Sequence, residues 1–209
     1  MSFKDRQDAA EKLTEPLLKY KGKKDVVLYA LPRGGVVLGV EIAKKLKAPL
    51  DLIIPRKIGH PYYPEYAICA LAEGGSLVCN EQERQNADKD WLDKEVKKEQ
   101  QEANRRSKIY LGKKTRLSAK DKIAIIIDDG IATGLTMKAA ILDIKKQQPK
   151  KIVVAIPVTP KETATQLETD VDEVIALEKP LLFRGAIGAY YQEFGEVNDD
   201  QVVDLLSGL

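Results

Sequence analysis

The sequence predicts an α/β fold: a parallel β-sheet flanked by helices, with a small hood and a helical insertion. Short apolar runs rich in Val and Ile alternate with helical patterns, and this order favours parallel strands joined by right-handed crossovers. The run Ile123–Ile127 is continuously apolar, as is typical of a strand buried on both faces. A densely charged stretch over residues 81–112 interrupts the alternation and is predicted to be the helical insertion.

The first part of the chain is predicted to form an α/β unit that begins with a helix, and then a β-hairpin. Apolar residues recur at helical spacing before Gly22, and the turn Glu73-Gly74-Gly75 separates two short strand-like runs. Residues 56–66 hold three Gly or Pro residues and no periodicity, which predicts a mobile loop. The elements expected here are helices over 3–20 and 36–46, strands over 26–31 and 50–55, and hairpin strands over 67–72 and 76–78.

The second part of the chain is predicted to add the insertion, the remaining strands and the hood. The insertion has few apolar positions and is interpreted as a solvated helix pair; the alternative is a cap or dimer contact made through Trp91. Residues 180–209 begin with an aromatic-rich, irregular stretch and are predicted to form the hood and tail of a single domain over 1–209. The other expected elements are strands over 123–127, 152–157 and 171–177 and a helix over 135–147.

Composition narrows the class of protein. The chain has 34 basic and 32 acidic residues, and this balance argues against a dedicated nucleic-acid-binding protein. No apolar run approaches the roughly 20 residues that span a bilayer, and the charged start lacks the core of a signal peptide, so we expect a cytoplasmic protein that binds no membrane. In that compartment Cys69 and Cys79 are expected to be buried thiols and not a disulfide. A single histidine argues against a zinc site.

Two acidic residues, Asp128 and Asp129, end the long apolar strand. They lie where ligands of parallel sheets bind, beyond the carboxyl end of a strand. The turn Gly130–Gly134 then opens a helix, so free N–H groups and the helix dipole favour an anion, with Thr133 and Thr136 as hydroxyl donors. A ribose 5-phosphate suits both features, because its diol donates to carboxylates and its phosphate fits the turn. The alternative is an acidic helix cap.

A second strand-to-helix turn, Pro32-Arg33-Gly34-Gly35, has similar properties. Its glycines permit close approach of the backbone to a ligand, and Arg33 offers a planar fork for phosphate oxygens. On its own this turn could be an ordinary connection. Together with the acidic pair and the first turn, it suits a sugar that carries phosphates at both ends, such as 5-phosphoribosyl-1-pyrophosphate (PRPP).

These segments resemble known motifs. Residues 124–140, AIIIDDGIATGLTMKAA, are similar to the PRPP-binding motif of type I phosphoribosyltransferases, and LPRGG at 31–35 resembles that family's pyrophosphate loop. The chain also resembles a subgroup of bacterial and archaeal predicted phosphoribosyltransferases whose acceptor is unassigned. The residues shared with that subgroup are RKIGHPYYPEYAI at 56–68 and AEGG at 72–75, and Cys69 stands where that pattern leads us to expect glycine.

The resemblance covers most of the chain and implies a type I phosphoribosyltransferase-like fold. It implies transfer of ribose 5-phosphate from PRPP to a nitrogen acceptor, usually a nucleobase, with release of pyrophosphate. It further implies Mg²⁺ bound through PRPP without direct protein ligands, a homodimer, and a cis peptide at Pro32–Arg33. Asp128 and Asp129 would hold the ribose hydroxyls. Pyrophosphate would be bound by Pro32, Arg33, Gly34 and Gly35, and the 5-phosphate by Gly130, Ile131, Ala132, Thr133, Gly134 and Thr136.

The start of the predicted mobile loop carries two cations, Arg56 and Lys57. Our hypothesis is that these two residues are catalytic, closing over pyrophosphate and supplying charge in the transition state. The alternative is a solvated basic pair. His60 lies in the same loop, and an idle, exposed histidine is the more common case than a catalytic one.

The acceptor base is not identified by the sequence. Hypoxanthine–guanine enzymes of the family carry an aspartate two residues before the last glycine of the phosphate turn, where this chain has Ala132, whereas adenine enzymes share A-T-G. An oxopurine reaction that uses that aspartate is therefore disfavoured. The candidates for stacking on the base are aromatic residues of the hood, although core packing is their common fate: Phe183, Tyr190, Tyr191 and Phe194.

Two other function classes remain open. A non-catalytic PRPP- or nucleotide-sensing regulator on the same fold would bind its ligand without turnover. The absence of an evident helix-turn-helix segment counts against a regulator that binds DNA. A dinucleotide-binding or phospho-acceptor domain is disfavoured, because no G-x-G-x-x-G follows the first strand.

Overall fold

The structure is a computed structural model that describes residues 3–112 and 114–209. Within those ranges it contains seven α-helices and eight strands, with short 3-10 helices at Leu18–Tyr20 and Ile187–Tyr190. The helices are α1 (Arg6–Leu17), α2 (Gly34–Leu46), α3 (Glu81–Asn86), α4 (Lys89–Leu111), α5 (Leu135–Lys146), α6 (Lys161–Glu168) and α7 (Asp199–Ser207). The strands are β1 (Val26–Ala30), β2 (Leu50–Leu52), β3 (Pro55–Gly59), β4 (Ala67–Ala72), β5 (Leu77–Cys79), β6 (Ile123–Ile127), β7 (Lys151–Val158) and β8 (Glu173–Glu178).

Five strands form a parallel sheet in the order β2-β1-β6-β7-β8. The central strand β6 lies between β1 and β7, and its last residue, Ile127, is in register with Ala30 and Ala155. Because all neighbouring pairs are parallel, the carboxyl ends of the strands meet at one edge of the sheet. The predicted α/β fold with a parallel, helix-flanked sheet is confirmed.

The side chains of β6 show why a continuous apolar run was needed. Ile123, Ile125 and Ile127 join a core cluster with residues of α1 and α2, whereas Ala124 and Ile126 join one with residues of α5 and α6. All five residues are buried. Helices therefore cover both faces of the sheet, as the run predicts.

The second sheet corrects two predictions. β3, β4 and β5 form a separate antiparallel sheet, and the predicted strand over 50–55 is divided between β2 and β3. The predicted loop over 56–66 is also wrong in its first half, because residues up to Gly59 pair with β4. Pro55 is tolerated because it is the first residue of an edge strand. Ile58 of the same strand is buried in the core. Only residues 60–66 connect the two strands.

The two cysteines form a disulfide, so the prediction of two thiols is wrong. Cys69 in β4 and Cys79 in β5 are direct partners across the antiparallel pair, with their Cα atoms 4.0 Å apart. The prediction considered the compartment and not the register of the hairpin, and the register is what places the two sulfur atoms side by side. Cys69 is buried, as expected.

The insertion and the tail pack on one another. Leu92, Ala103 and Tyr110 of α4 join a third core cluster with residues of α7 and the small sheet, and Trp91 packs partly buried against it. Within the described ranges Trp91 is therefore a packing residue. Helix α7 was not predicted, although Asn198 and Gln201 form a capping box at its N-terminus, and this pattern can be recognised in a sequence. None of the helices in these ranges is both long and apolar enough to span a bilayer.

Candidate functional site

The two predicted anion-binding turns are neighbours at the carboxyl edge of the sheet. The Leu31 N–H, just after β1, donates to the Ile127 carbonyl oxygen at 2.9 Å, just before the acidic pair. A Cβ atom at Gly34 would lie 1.9 Å from Asp129 Oδ2, and one at Gly35 would lie 2.8 Å from the Ile127 carbonyl oxygen. Both glycines are thus required by the packing of the two turns on each other, before any ligand is considered.

The acidic pair, Asp128 and Asp129, is held largely out of water. The Asp129 N–H donates to Asp128 Oδ1 at 2.9 Å. Burial raises the pKa of Asp128, and the charge of Asp129 raises that pKa further. Burial also raises the pKa of Asp129, whereas Arg6 acts to lower it. Two adjacent, poorly solvated carboxyls gain from a ligand that donates hydrogen bonds to them, as a ribose diol does.

Sequence reasoning missed Arg6, the first residue of α1. Its Nε donates to Asp129 Oδ2 at 2.7 Å, with 12% and 14% of the two side chains exposed. Its guanidinium carbon lies 3.8 Å from the centroid of the Phe194 ring, and its Nη1 donates to the Gly195 carbonyl at 2.7 Å. A signal was available in the sequence, because the first turn of a helix disfavours a cation.

The second turn has the expected cis peptide between Pro32 and Arg33. The guanidinium of Arg33 forms an ion pair with Glu196 and lies 3.7 Å from Asp199 Oδ1. A cavity of about 360 Å³ adjoins this turn, and its walls are Arg6, Arg33, Gly34 and residues 194–197. An anion that binds Arg33 in this cavity must therefore compete with carboxylates of the C-terminal segment.

The turn after the acidic pair leads directly into helix α5. Gly130 and Gly134 adopt φ values of 157° and 82°, and α5 begins at the next residue. Ile131 differs from its predicted role, because its side chain is buried and its N–H donates to the Val158 carbonyl at 3.0 Å. Thr133 is exposed to solvent. The groups left to face a phosphate belong to residues 132–136.

The two residues predicted to be catalytic lie on β3, in the small sheet. Arg56 Nε donates to Glu99 of α4 at 2.7 Å, and Lys57 Nζ donates to Glu65 at 3.1 Å. Among the hydrogen bonds and ion pairs of the described residues, neither side chain reaches the acidic pair or Arg33. The ring of His60 stacks on Tyr63 with centroids 5.4 Å apart. A catalytic role for Arg56 or Lys57 therefore requires movement of the hairpin and stays a prediction.

The aromatic residues of the hood differ in how far their rings are buried. Tyr190 and Tyr191 are buried, and the Tyr191 hydroxyl donates to the Asp129 carbonyl at 2.6 Å. Phe194 lies under Arg6 and beside Tyr191. Phe183 is only partly buried and stacks on Tyr190, with centroids 5.4 Å apart. Phe183 is therefore a candidate for stacking on a base, because it is only partly buried and its described ring contact is with Tyr190.

Comparison with known sequences agrees with this geometry. The profile of the phosphoribosyl transferase domain matches residues 3–193. The fold and site define a phosphoribosyltransferase-type domain, and the chain belongs to that family. Two proteins of Mycobacterium tuberculosis, from strains H37Rv and CDC 1551, are provisionally named phosphoribosyl transferases and are 39% identical to this chain over 206 residues. That match covers 98% of this chain and 46% of each relative, so the chain spans about half the length of the curated relatives it matches.

Solved structures show the same fold. The crystal structure of the TT1426 protein from Thermus thermophilus superposes with a TM-score of 0.81 at 37% identity, covering 99% of this chain and 98% of that one. The AQ2163 protein from Aquifex aeolicus superposes with a TM-score of 0.52 at 15% identity, covering 86% and 78% of the two chains. The second likeness concerns the fold alone.

Proposed function

We propose that this protein binds PRPP at the carboxyl edge of its sheet and transfers ribose 5-phosphate to a nitrogen acceptor with release of pyrophosphate. The observation that carries the proposal is the direct packing of the Gly34 turn against Asp129. This contact brings a pyrophosphate-type turn, a diol acceptor and a phosphate-type turn to one place. Membership of the phosphoribosyltransferase family supports the same activity.

In the proposed complex the acidic pair holds the sugar. Asp128 and Asp129 accept hydrogen bonds from the ribose hydroxyls, and the start of α5 binds the 5-phosphate through N–H groups and threonine hydroxyls. Holding both ends of the sugar fixes the anomeric carbon relative to the acceptor. Such positioning is a major source of rate enhancement in group transfer.

Pyrophosphate is the proposed ligand of the second turn. Arg33 is already near this position but is engaged by carboxylates, so binding exchanges Glu196 for phosphate oxygens. The hairpin that carries Arg56 and Lys57 is proposed to close over the leaving group. Its cations would then stabilise the negative charge that develops as pyrophosphate departs.

Mg²⁺ is the proposed cofactor. No group of three or more potential metal-ligating side chains occurs among the residues that the structure describes. Such a group is not required, because Mg²⁺ keeps several waters and is commonly held by substrate phosphates with one or two carboxylates. The phosphate oxygens of PRPP would supply the ligands here, with no direct protein ligand. When bound, Mg²⁺ would neutralise charge on the pyrophosphate.

The proposed acceptor is a small molecule, and a nucleobase stacked on Phe183 is the form we favour. Phe183 has free ring surface and lies in the hood, close along the chain to Tyr190 and Tyr191. The remaining expectations concern the setting of the reaction. We propose a cytoplasmic homodimer on the basis of the resemblance, and sedimentation analysis tests the dimer.

Calorimetric titration of PRPP, with and without Mg²⁺, tests the proposed site. We expect Mg²⁺-dependent binding by the wild type and its loss in the double variant Asp128→Asn/Asp129→Asn. A matched control is Asp90→Asn/Asp93→Asn, which makes the same change of charge on the exposed surface of α4. The control is expected to bind like the wild type.

The outcomes separate the candidate functions. Binding followed by pyrophosphate release in a screen of bases supports the transferase. Tight binding without turnover on any acceptor supports a PRPP-sensing regulator instead. If folded wild type does not bind PRPP at about millimolar concentration, which is above the dissociation constants of ordinary ligands, the proposed site is wrong.

A further inference from the structure

Arg6 occupies an electrostatically unfavourable place in its own helix. It is the first residue of α1, whose N-terminal N–H groups carry partial positive charge. Asp5 already caps this helix by accepting the Asp8 N–H at 2.8 Å, so Arg6 adds nothing to the cap. A cation at this position is better explained by what its guanidinium contacts beyond the helix.

The guanidinium joins three separate parts of the candidate site. It donates to Asp129 at the end of β6 and to the Gly195 carbonyl of the C-terminal segment, and it lies on the Phe194 ring. The turn before α2 completes the contact, because a Cβ atom at Gly34 would lie 2.9 Å from Arg6 Nε. Arg6 and Arg33 are both walls of the 360 Å³ cavity.

Among the ion pairs of the described residues, Arg6 is the cation that contacts Asp129 directly. Asp128 adds negative charge from the same strand end, and the Tyr191 hydroxyl binds the Asp129 backbone. Arg33 belongs to the adjoining turn but is paired with Glu196 and Asp199. Burial raises the pKa of Asp129, and Arg6 is the strongest influence that lowers it, with the hydrogen bond to Asp128 acting in the same direction.

We propose that Arg6 is a positioning residue of the PRPP site. It orients the Asp129 carboxyl for the ribose hydroxyls and favours its charged form, and it holds the C-terminal segment against the turn proposed for pyrophosphate. The inference rests on the proposed function, since it concerns the same site. Arg6 acts through Asp129 and the segment, and no contact between Arg6 and the substrate is part of the proposal.

The test is PRPP affinity as a function of pH, at fixed Mg²⁺, for the wild type and Arg6→Gln. An ionised Asp129 offers only acceptors to the ribose hydroxyls, whereas protonation turns one of its oxygens into a donor and weakens this binding. Without Arg6 the pKa of Asp129 rises, so the loss of binding at low pH begins at a higher pH. We expect Arg6→Gln to lower affinity at least about tenfold at the acid end of the range, with a smaller loss as pH rises. The titration of PRPP itself cancels in the ratio of the two affinities at each pH.

Two further variants keep the test decisive if Arg6→Gln folds poorly. Arg6→Lys preserves the charge and is expected to keep the acid limit of binding near that of the wild type. Phe194→Leu removes the stacked ring and is expected to weaken binding at all pH values without moving that limit. Arg84→Gln, on the exposed surface of α3, is the matched control for loss of one positive charge.

Distinct results would overturn the two proposals. If the wild type binds PRPP and Arg6→Gln binds equally well, or more weakly by a constant factor at every pH, Arg6 is only a packing residue. The same conclusion follows if Arg6→Lys moves the acid limit as far as Arg6→Gln does. If folded wild type does not bind PRPP at all, the proposed function itself fails.

Discussion

Individual residues of the candidate site depend on direct contacts with one another. Gly34 is needed so that a turn can touch Asp129, and Asp129 in turn binds Arg6. The acidic pair could be predicted, because two aspartates after an apolar strand and before G-x-x-T-G are unusual along the chain. The position of Arg6 in the first turn of a helix indicates a partner elsewhere, but the sequence could not identify Asp129 as that partner, since 123 residues separate the two and only the fold brings them together.

A stability measurement checks the burial of Asp128. Its folded-state pKa lies above the ordinary value, so the native state is most stable below the unfolded pKa and loses stability as pH rises through the folded pKa. Asp128→Asn cannot titrate. We expect it to be more stable than the wild type at pH 7, on the order of 1 kcal/mol or more, and the difference to vanish near pH 3.

Urea unfolding at several pH values gives this difference directly. Asp93→Asn, an exposed site on α4, is the control and is expected to change stability little at any pH. A variant at Asp128 that is less stable than the wild type at pH 7 would contradict the assigned burial. A gain in stability together with lost PRPP binding would show a carboxylate retained for function.

Elements differ in how far the sequence determines them. Strand β6 was predictable from end to end because burial on both faces demands an unbroken apolar run. Strand β3 was not, because Gly59 and the nearby Pro61 and Pro64 were interpreted as breakers and its pairing with β4 depends on a partner further along the chain. The bond between Cys69 and Cys79 depends on the same hairpin register.

The disulfide is expected to stabilise the hairpin. Cys79→Ser opens a covalent loop between residues 10 positions apart, and the chain-entropy relation gives about 2–3 kcal/mol for a loop of that size. Denaturant unfolding with and without a thiol reductant measures the effect. Reductant should destabilise the wild type and leave the variant unchanged. Equal sensitivity of both proteins would show that the bond does not form in solution.

The role of β3 in catalysis is tested by replacing its cations. If the hairpin closes over pyrophosphate, Arg56→Ala with Lys57→Ala should lower turnover by about 10²-fold or more with little loss of stability. Glu99→Gln is the matched control, because it removes the partner of Arg56 and leaves both cations in place. Unchanged turnover and PRPP affinity in the double variant would reduce the pair to solvated surface residues.

At the scale of the whole molecule, the candidate site lies at the carboxyl edge of the parallel sheet and is built from distant parts of the chain. The sequence could predict that edge, because parallel strands force the acidic pair and the Arg33 turn to the same side of the sheet. It predicted a C-terminal hood, but not the contacts of residues 190–199 with the acidic pair and with Arg33, because these contacts form through tertiary packing.

Ligand binding should therefore stabilise the entire domain. At PRPP concentrations about 100 times the dissociation constant, the native state gains about 2.7 kcal/mol, which corresponds to a rise in Tm of roughly 5–10 °C for a chain of this size. Differential scanning fluorimetry with Mg²⁺ measures the shift. Ribose 5-phosphate alone and pyrophosphate alone should give smaller shifts, because each occupies half of the site. Equal shifts for all three ligands would contradict a site that spans both turns.

The contact of Arg6 with Phe194 and Gly195 also has a consequence for biosynthesis. A ribosome releases the start of α1 first, the acidic pair much later and residues 194–197 last among the groups that shape the cavity. At ordinary translation speeds of about 5–20 residues per second, roughly 3–12 s separate the emergence of α5's first turn from that of Phe194. During this interval the nascent chain has the acidic pair but lacks the segment that covers it. If PRPP binds as proposed, it can therefore stabilise the domain only after this segment has emerged, and it cannot act as a template for the earlier folding steps.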